Sequence, residues 1–175
     1  MTHTTGFEDV GADLFKLKAD EVRPLDEYLK THLPQRVFPP GEIGGYSNYA
    51  TAMAGYIVAR ATGMPFEQYV EENILQPLGM QHSTFRQPLP AGMAGDMSGG
   101  FNFASGAFLQ GDFEYVTGYP AGSMSVTAAD MAHFMIAHLQ NGAYEGGRIL
   151  REDTAVLMHQ HLFSHDPRMP GMAHG

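Results

Sequence analysis

The sequence predicts a mainly α domain. Apolar residues recur at helical spacing in several separate segments, and helix start and stop signals bracket those segments. The chain also lacks a repeated strand–helix–strand pattern. At 175 residues it reads as one domain, 1–175, large enough for a real core.

Residues 1–19 read as a loop with weak helical tendency and contain His3. Pro24 suits the first position of a short helix through about Leu33, with Leu25, Tyr28, Leu29 and His32 on one stripe. Pro34, Pro39 and Pro40 end it. Pro40-Gly41 and Gly44-Gly45 are turn signals, and Ser47 and Asn48 are good N-cap residues. Behind them Ala50, Met53, Ala54, Ile57, Val58 and Ala61 repeat as one buried helix face, which Gly63 closes as a C′ glycine. Pro65 opens a further helix through about Leu75. Residues 81–125 are rich in Gly, Pro and Ser and read as irregular, with one or two short hairpin strands. Thr127-x-x-Asp130 is a capping-box-like start for a helix to about Gln140, with Met131, Phe134, Met135, His138 and Leu139 on its stripe. Asn141-Gly142 stops it, and a last helix spans about Arg151 to Leu162.

The formal net charge of −9 disfavours a nucleic-acid or anionic-membrane partner. With no cysteine, a disulfide frame, a thiol nucleophile and a Cys-based zinc knuckle are all excluded. No apolar run approaches a membrane span, and residues 1–20 carry no signal-peptide core, so the chain as given reads as cytoplasmic. Nine histidines and twelve methionines stand out: the first are a reservoir of ligand groups, the second suit adaptable apolar surfaces.

Pro40-Gly41-Glu42-Ile43-Gly44-Gly45-Tyr46-Ser47-Asn48 holds a Tyr, a Ser and an Asn at the mouth of a helix, where a tight turn and a packed helix fix side chains for chemistry. This stretch resembles the Tyr-x-Asn motif of the serine β-lactamase and penicillin-binding-protein family, in particular class C β-lactamases and related esterases. Thr2-His3-Thr4-Thr5-Gly6 is similar to the loop after that family's nucleophile helix. Phe66 to Val70 with Pro77-Leu78-Gly79-Met80 and Thr84, and Ala121-Gly122-Ser123-Met124-Ser125 with Asp130-Met131, resemble two further family segments in the family's order. The resemblance implies the helical part of a β-lactamase-like fold with a short irregular β-hairpin and the sheet domain missing. It also implies Tyr46 as general base and Asn48 as positioning residue, in a family whose members are often periplasmic or secreted.

The family nucleophile is the Ser of Ser-x-x-Lys, and no Ser or Thr in the chain has a Lys three residues on. Ser83-Thr84-Phe85-Arg86 comes nearest, but arginine stays protonated and cannot be a base. The family's third motif, Lys/His-Thr/Ser-Gly, is expected beyond Gly175. Serine acyl transfer is therefore not expected of the chain as given.

A second constellation, His159-Gln160-His161-Leu162-Phe163-Ser164-His165-Asp166, offers nitrogen and oxygen ligands for a zinc-like divalent ion: His159, His161, His165 and Asp166. His133 with Asp130, or His3 or His174, could add donors. Plainer readings stand beside these: Tyr46-Ser47-Asn48 as an N-cap with a packed aromatic, His138 as a hydrogen-bonded core histidine, His133 as a solvated helix residue, and Ser123 as a turn residue.

The expected function is hydrolysis of ester-type substrates (carboxylic ester, lactone or phosphoester) by metal-activated water. The alternative is an inert or partner-dependent family fragment that acts as a folded binding module. Apolar surface left by a missing sheet domain implies a homodimer or higher homo-oligomer, with a Met- and Phe-lined cleft for a small, apolar, neutral substrate.

Overall fold

The computed structural model describes residues 2–166 and 168. Helices predominate, with three separate two-stranded antiparallel sheets. The N-terminal segment, expected as loop, contributes strand β1 (Phe15–Lys16). Helix α1 spans Leu25–Thr31, α2 Asn48–Thr62 and α3 Phe66–Val70. After α4 (Ala91–Ala94) come β2 (Phe101–Ala104), β3 (Ala107–Gln110) and β4 (Tyr115–Val116). Then follow α5 (Ala128–Leu139), β5 (Ala143–Tyr144), β6 (Gly147–Arg148) and α6 (Glu152–Met158). β1 pairs with β4, β2 with β3, and β5 with β6. No helix among the described residues is long and apolar enough to cross a membrane.

The caps of α2 follow the sequence signals. The Ser47 hydroxyl accepts from the Ala50 amide, and Gly63 sits in the left-handed region at φ 70°, where its amide reaches the Ala59 carbonyl. The buried face differs from the expected stripe. Tyr49, Ala52 and Gly55 face inward, whereas Ile57 is 59% exposed. Two contacts set this rotation. The Tyr49 hydroxyl donates to the Leu29 carbonyl on α1 at 2.9 Å. Gly55 packs against Pro120, whose ring carbons would lie 2.5 and 2.6 Å from any Cβ there. α2 thus binds α1 on one side and the Tyr119–Ala121 turn on the other.

Two apolar clusters form the core. Leu25, Tyr28, Leu29, Tyr49 and Ala52 join α1 to α2. Val70, Leu75, Leu78, Met80 and Ala137 join the chain after α3 to α5. The expected helix through Leu75 continues from α3 as one π-helical turn, Glu71–Leu75, in which the Gln76 amide reaches back five residues to the Glu71 carbonyl. On α5, Thr127 caps as expected, its hydroxyl accepting from the Asp130 amide. The expected stripe is only partly inward: Ala137 is fully buried and Phe134 packs on the core, but Met135 is 57% and Leu139 82% exposed.

The β2–β3 hairpin turns at Ser105 and Gly106, both at positive φ. Phe101, Phe103 and Phe108 are exposed on it and take no part in the core. α6 ends at Met158, four residues short of the expected Leu162.

Candidate functional site at the mouth of helix α2

The turn before α2 is fixed by backbone hydrogen bonds to the N-terminal loop. Gly41 donates to the Thr4 carbonyl at 2.7 Å, and Gly45 to the His3 carbonyl at 2.8 Å. The amide of Gly44 donates to Nε2 of His165 at 2.8 Å. A side chain at Gly44 would meet the His165 and Phe163 rings at 3.2–3.3 Å, so glycine permits this approach. Segments far apart in sequence therefore converge on Tyr46.

Tyr46 is 54% exposed, with the His3 ring 4.9 Å away between centroids. Its hydroxyl donates to Oδ1 of Asn48 at 2.9 Å. Asn48 is held in turn by Asp9: its backbone amide and its Nδ2 both donate to Oδ1 of Asp9, at 3.1 and 3.2 Å. With the Asn48 amide group donating to a carboxylate and its carbonyl accepting from a phenol, one side-chain orientation satisfies every partner. Asp9 also lies at the N-terminus of a fifteen-residue helix, where a negative charge is favoured. Ser47, between the two, is fully buried and serves as the cap. The result is an accessible phenol whose proton is aimed by an Asp–Asn pair on a rigid helix end. Sequence reading identified Tyr46 and Asn48 but missed Asp9, which lies 39 residues upstream with no motif around it.

The four expected metal ligands do not gather. His165 already accepts the Gly44 amide. Asp166 is paired with Arg168, which holds its carboxyl below the usual range. His161 is exposed beyond the end of α6. His159 contacts a different partner, Nδ1 of His138, at 3.1 Å. Among the described residues no cluster of three or more His, Asp or Glu is suited to a metal ion. The donor set drawn from the sequence therefore does not fit a metal, because its members are spent on separate local contacts. Of the additional donors considered, Asp130 is buried and accepts from the His82 amide and the Ser83 hydroxyl. His133 is not a solvated residue: its Nδ1 meets the Leu78 carbonyl at 2.9 Å and its ring stacks on Tyr144. His174 lies outside the described residues.

Ser83 and Thr84, in the stretch nearest to Ser-x-x-Lys, are buried and hydrogen-bonded to Asp130 and Glu71, and Arg86 is paired with Glu71. Ser123 is a turn residue that donates to the Phe85 carbonyl. His138 does have a hydrogen-bond partner, His159, but it lines a cavity of about 530 Å³ instead of the core. Burial and the neighbouring His159 hold its pKa below the ordinary imidazole value.

The family model described as Beta-lactamase matches residues 1–175. The chain belongs to the beta-lactamase family. The resemblance carried by the Tyr46–Asn48 turn and the segments around it is thereby borne out. A beta-lactamase of Pseudomonas fluorescens is 30% identical over 74 residues, which are 42% of this chain and 20% of that protein. Simvastatin synthase from Aspergillus terreus superposes with a TM-score of 0.69 at 25% identity, covering 95% of this chain and 43% of that one. The octameric penicillin-binding protein homologue from Pyrococcus abyssi gives a TM-score of 0.67 at 20% identity, covering 91% and 37%. The matches to curated relatives span between 8 and 23% of those proteins' length.

Proposed function

We propose that these residues form the helical portion of an acyl hydrolase of the beta-lactamase family, cleaving an ester or amide bond in a small, apolar, neutral substrate. The observation that carries this reading is the Asp9–Asn48–Tyr46 chain of hydrogen bonds, which presents an accessible phenol at a fixed point. Tyr46 carries the proton between the attacking hydroxyl and the leaving group, and Asn48 positions. The nucleophile is a serine in a Ser-x-x-Lys segment outside these 175 residues, and the family's sheet domain covers the helical portion. The serine oxygen bonds to the acyl carbon, the leaving group departs with the proton, and water later releases the acid.

Trans-complementation tests this. The chain is mixed with a family segment bearing Ser-x-x-Lys, and a β-lactam or activated ester is added. Mass spectrometry should find an acyl adduct on that serine only when both parts are present. An adduct formed equally well by the segment alone would overturn the reading.

Metal-activated water is supported by less. Of its expected ligands only His159 has an imidazole neighbour, and no catalytic step is derived through a metal. Self-association as a homodimer or higher oligomer is part of the proposal, supported by the exposed Met135, Leu139 and Leu157 and by the octameric state of the Pyrococcus abyssi homologue. Light scattering that gives a monomer mass at all concentrations would remove it.

A further inference from the structure

The turn that carries Tyr46 is fastened at three amides. Two of them, Gly41 and Gly45, donate to backbone carbonyls of the N-terminal loop, at Thr4 and His3. The third, Gly44, donates to a side chain 121 residues away, Nε2 of His165, at 2.8 Å. A backbone amide can only donate, so Nε2 must present its lone pair. His165 therefore carries its ring proton on Nδ1, and an imidazolium cannot make this bond.

The surroundings hold the imidazole to this task. Half-buried Phe163 stands edge-on to it, with centroids 5.5 Å apart and planes at 79°. The neighbouring carboxylate, Asp166, is engaged by Arg168 instead. On the other side, Gly44 and Gly45 give the turn the loosest backbone of any residue pair, because glycine has the most conformational freedom to lose. The His165 and His3 bonds remove that freedom immediately before Tyr46. Without the first of them the turn can swing, and the phenol leaves its aim at Oδ1 of Asn48.

We propose that His165, as its Nδ1–H tautomer, is a positioning residue for Tyr46. It holds the Gly44 amide, and through the turn it holds the phenol where the proton is passed. This role rests on the reading of Tyr46 as the proton carrier.

NMR of the 175-residue chain tests the clamp without any turnover. Ring nitrogen spectra above about pH 8, where imidazoles are ordinarily neutral, should show Nε2 of His165 unprotonated. His165→Leu should speed exchange of the Gly44 amide by about 2–10-fold, the loss of one hydrogen bond. His165→Gln, whose amide oxygen can accept, should restore protection. Gly44→Ala leaves His165 in place but sets a methyl 3.2 Å from its ring, and should release the clamp from the other side. In the complemented protein, His165→Leu should lower kcat by about tenfold with KM unchanged, since misplacement on the order of 1 Å can cost 10²-fold. His165→Gln should recover it, and both variants should keep Tm within about 2 °C. In a Tyr46→Phe background, His165→Leu should cost no further kcat, which a merely structural role would not produce. An Nε2–H tautomer, unchanged Gly44 exchange in the Leu variant, or an equal kcat loss in both backgrounds would overturn the proposal. Undiminished turnover in Tyr46→Phe alone would instead sink the proton-carrier reading, so the two failures are distinct.

Discussion

Removing the Ser47 hydroxyl probes how the site is anchored. Ser47 is fully buried, and its Oγ accepts from the Ala50 amide at 3.3 Å. In Ser47→Ala that amide loses its partner at a position water cannot readily reach. Loss of an N-cap costs about 1 kcal/mol, within a range of roughly 0.5–2. The length of this bond argues for the middle of that range, because the Asn48 amide keeps its own acceptor in Asp9. For a domain of this size about 1 kcal/mol corresponds to a fall in Tm of about 2–4 °C. Thermal melts followed by far-UV circular dichroism measure it. Hydrogen exchange at Ala50 should speed up in the same variant, and Ser47→Gly should recover most of the loss, since glycine is a tolerated cap. An unchanged Tm with unchanged exchange would refute the assignment of Ser47 as the anchor of α2.

Three further outcomes are expected. Gly55→Ala forces a methyl against Pro120 and should destabilise by about 1–3 kcal/mol from overpacking, less about 1 kcal/mol of helix propensity; urea unfolding measures the net loss, and a net gain would refute the packing. Asp130→Ala strips the acceptor from the His82 amide and the Ser83 hydroxyl and should cost about 3 kcal/mol by the same assay, whereas a surface-like loss under about 0.5 kcal/mol would contradict the buried network. Burial raises the pKa of Tyr28, Tyr49 and Tyr119 above the ordinary phenol value. Above about pH 10 the unfolded chain releases protons that the folded chain keeps, so their contribution is intact below that pH and falls as pH rises. Tyrosinate absorbance from these three should emerge together with helix loss, and its appearance well before unfolding would contradict their burial.

Local signals reported local structure well. The caps at Ser47, Gly63 and Thr127 came directly from side-chain and φ requirements, and the Tyr46–Asn48 turn carried enough motif to reveal its family. Apolar periodicity was less informative about direction. α2 is small and apolar around much of its circumference, so the stripe through Ile57 and the face through Gly55 were nearly equivalent in sequence, and contacts with Pro120 and Leu29 decided between them. Among the described residues the expected metal ligands lie apart, because density along the chain is not convergence in space. His165 and Asp166 are neighbours in sequence but serve Gly44 and Arg168, while His159 finds His138 twenty-one residues away. Asp9 illustrates the same limit, since an isolated acidic residue gains meaning only when folding sets it on Asn48.

The most direct test of the central claim is ester turnover by the complemented protein, comparing Tyr46 with Tyr46→Phe. The substitution deletes one hydroxyl from an exposed ring and should leave stability within about 0.5 kcal/mol. If Tyr46 carries the proton, kcat should fall by about 10²–10⁴ with little change in KM. Undiminished turnover in the Phe variant would contradict the account.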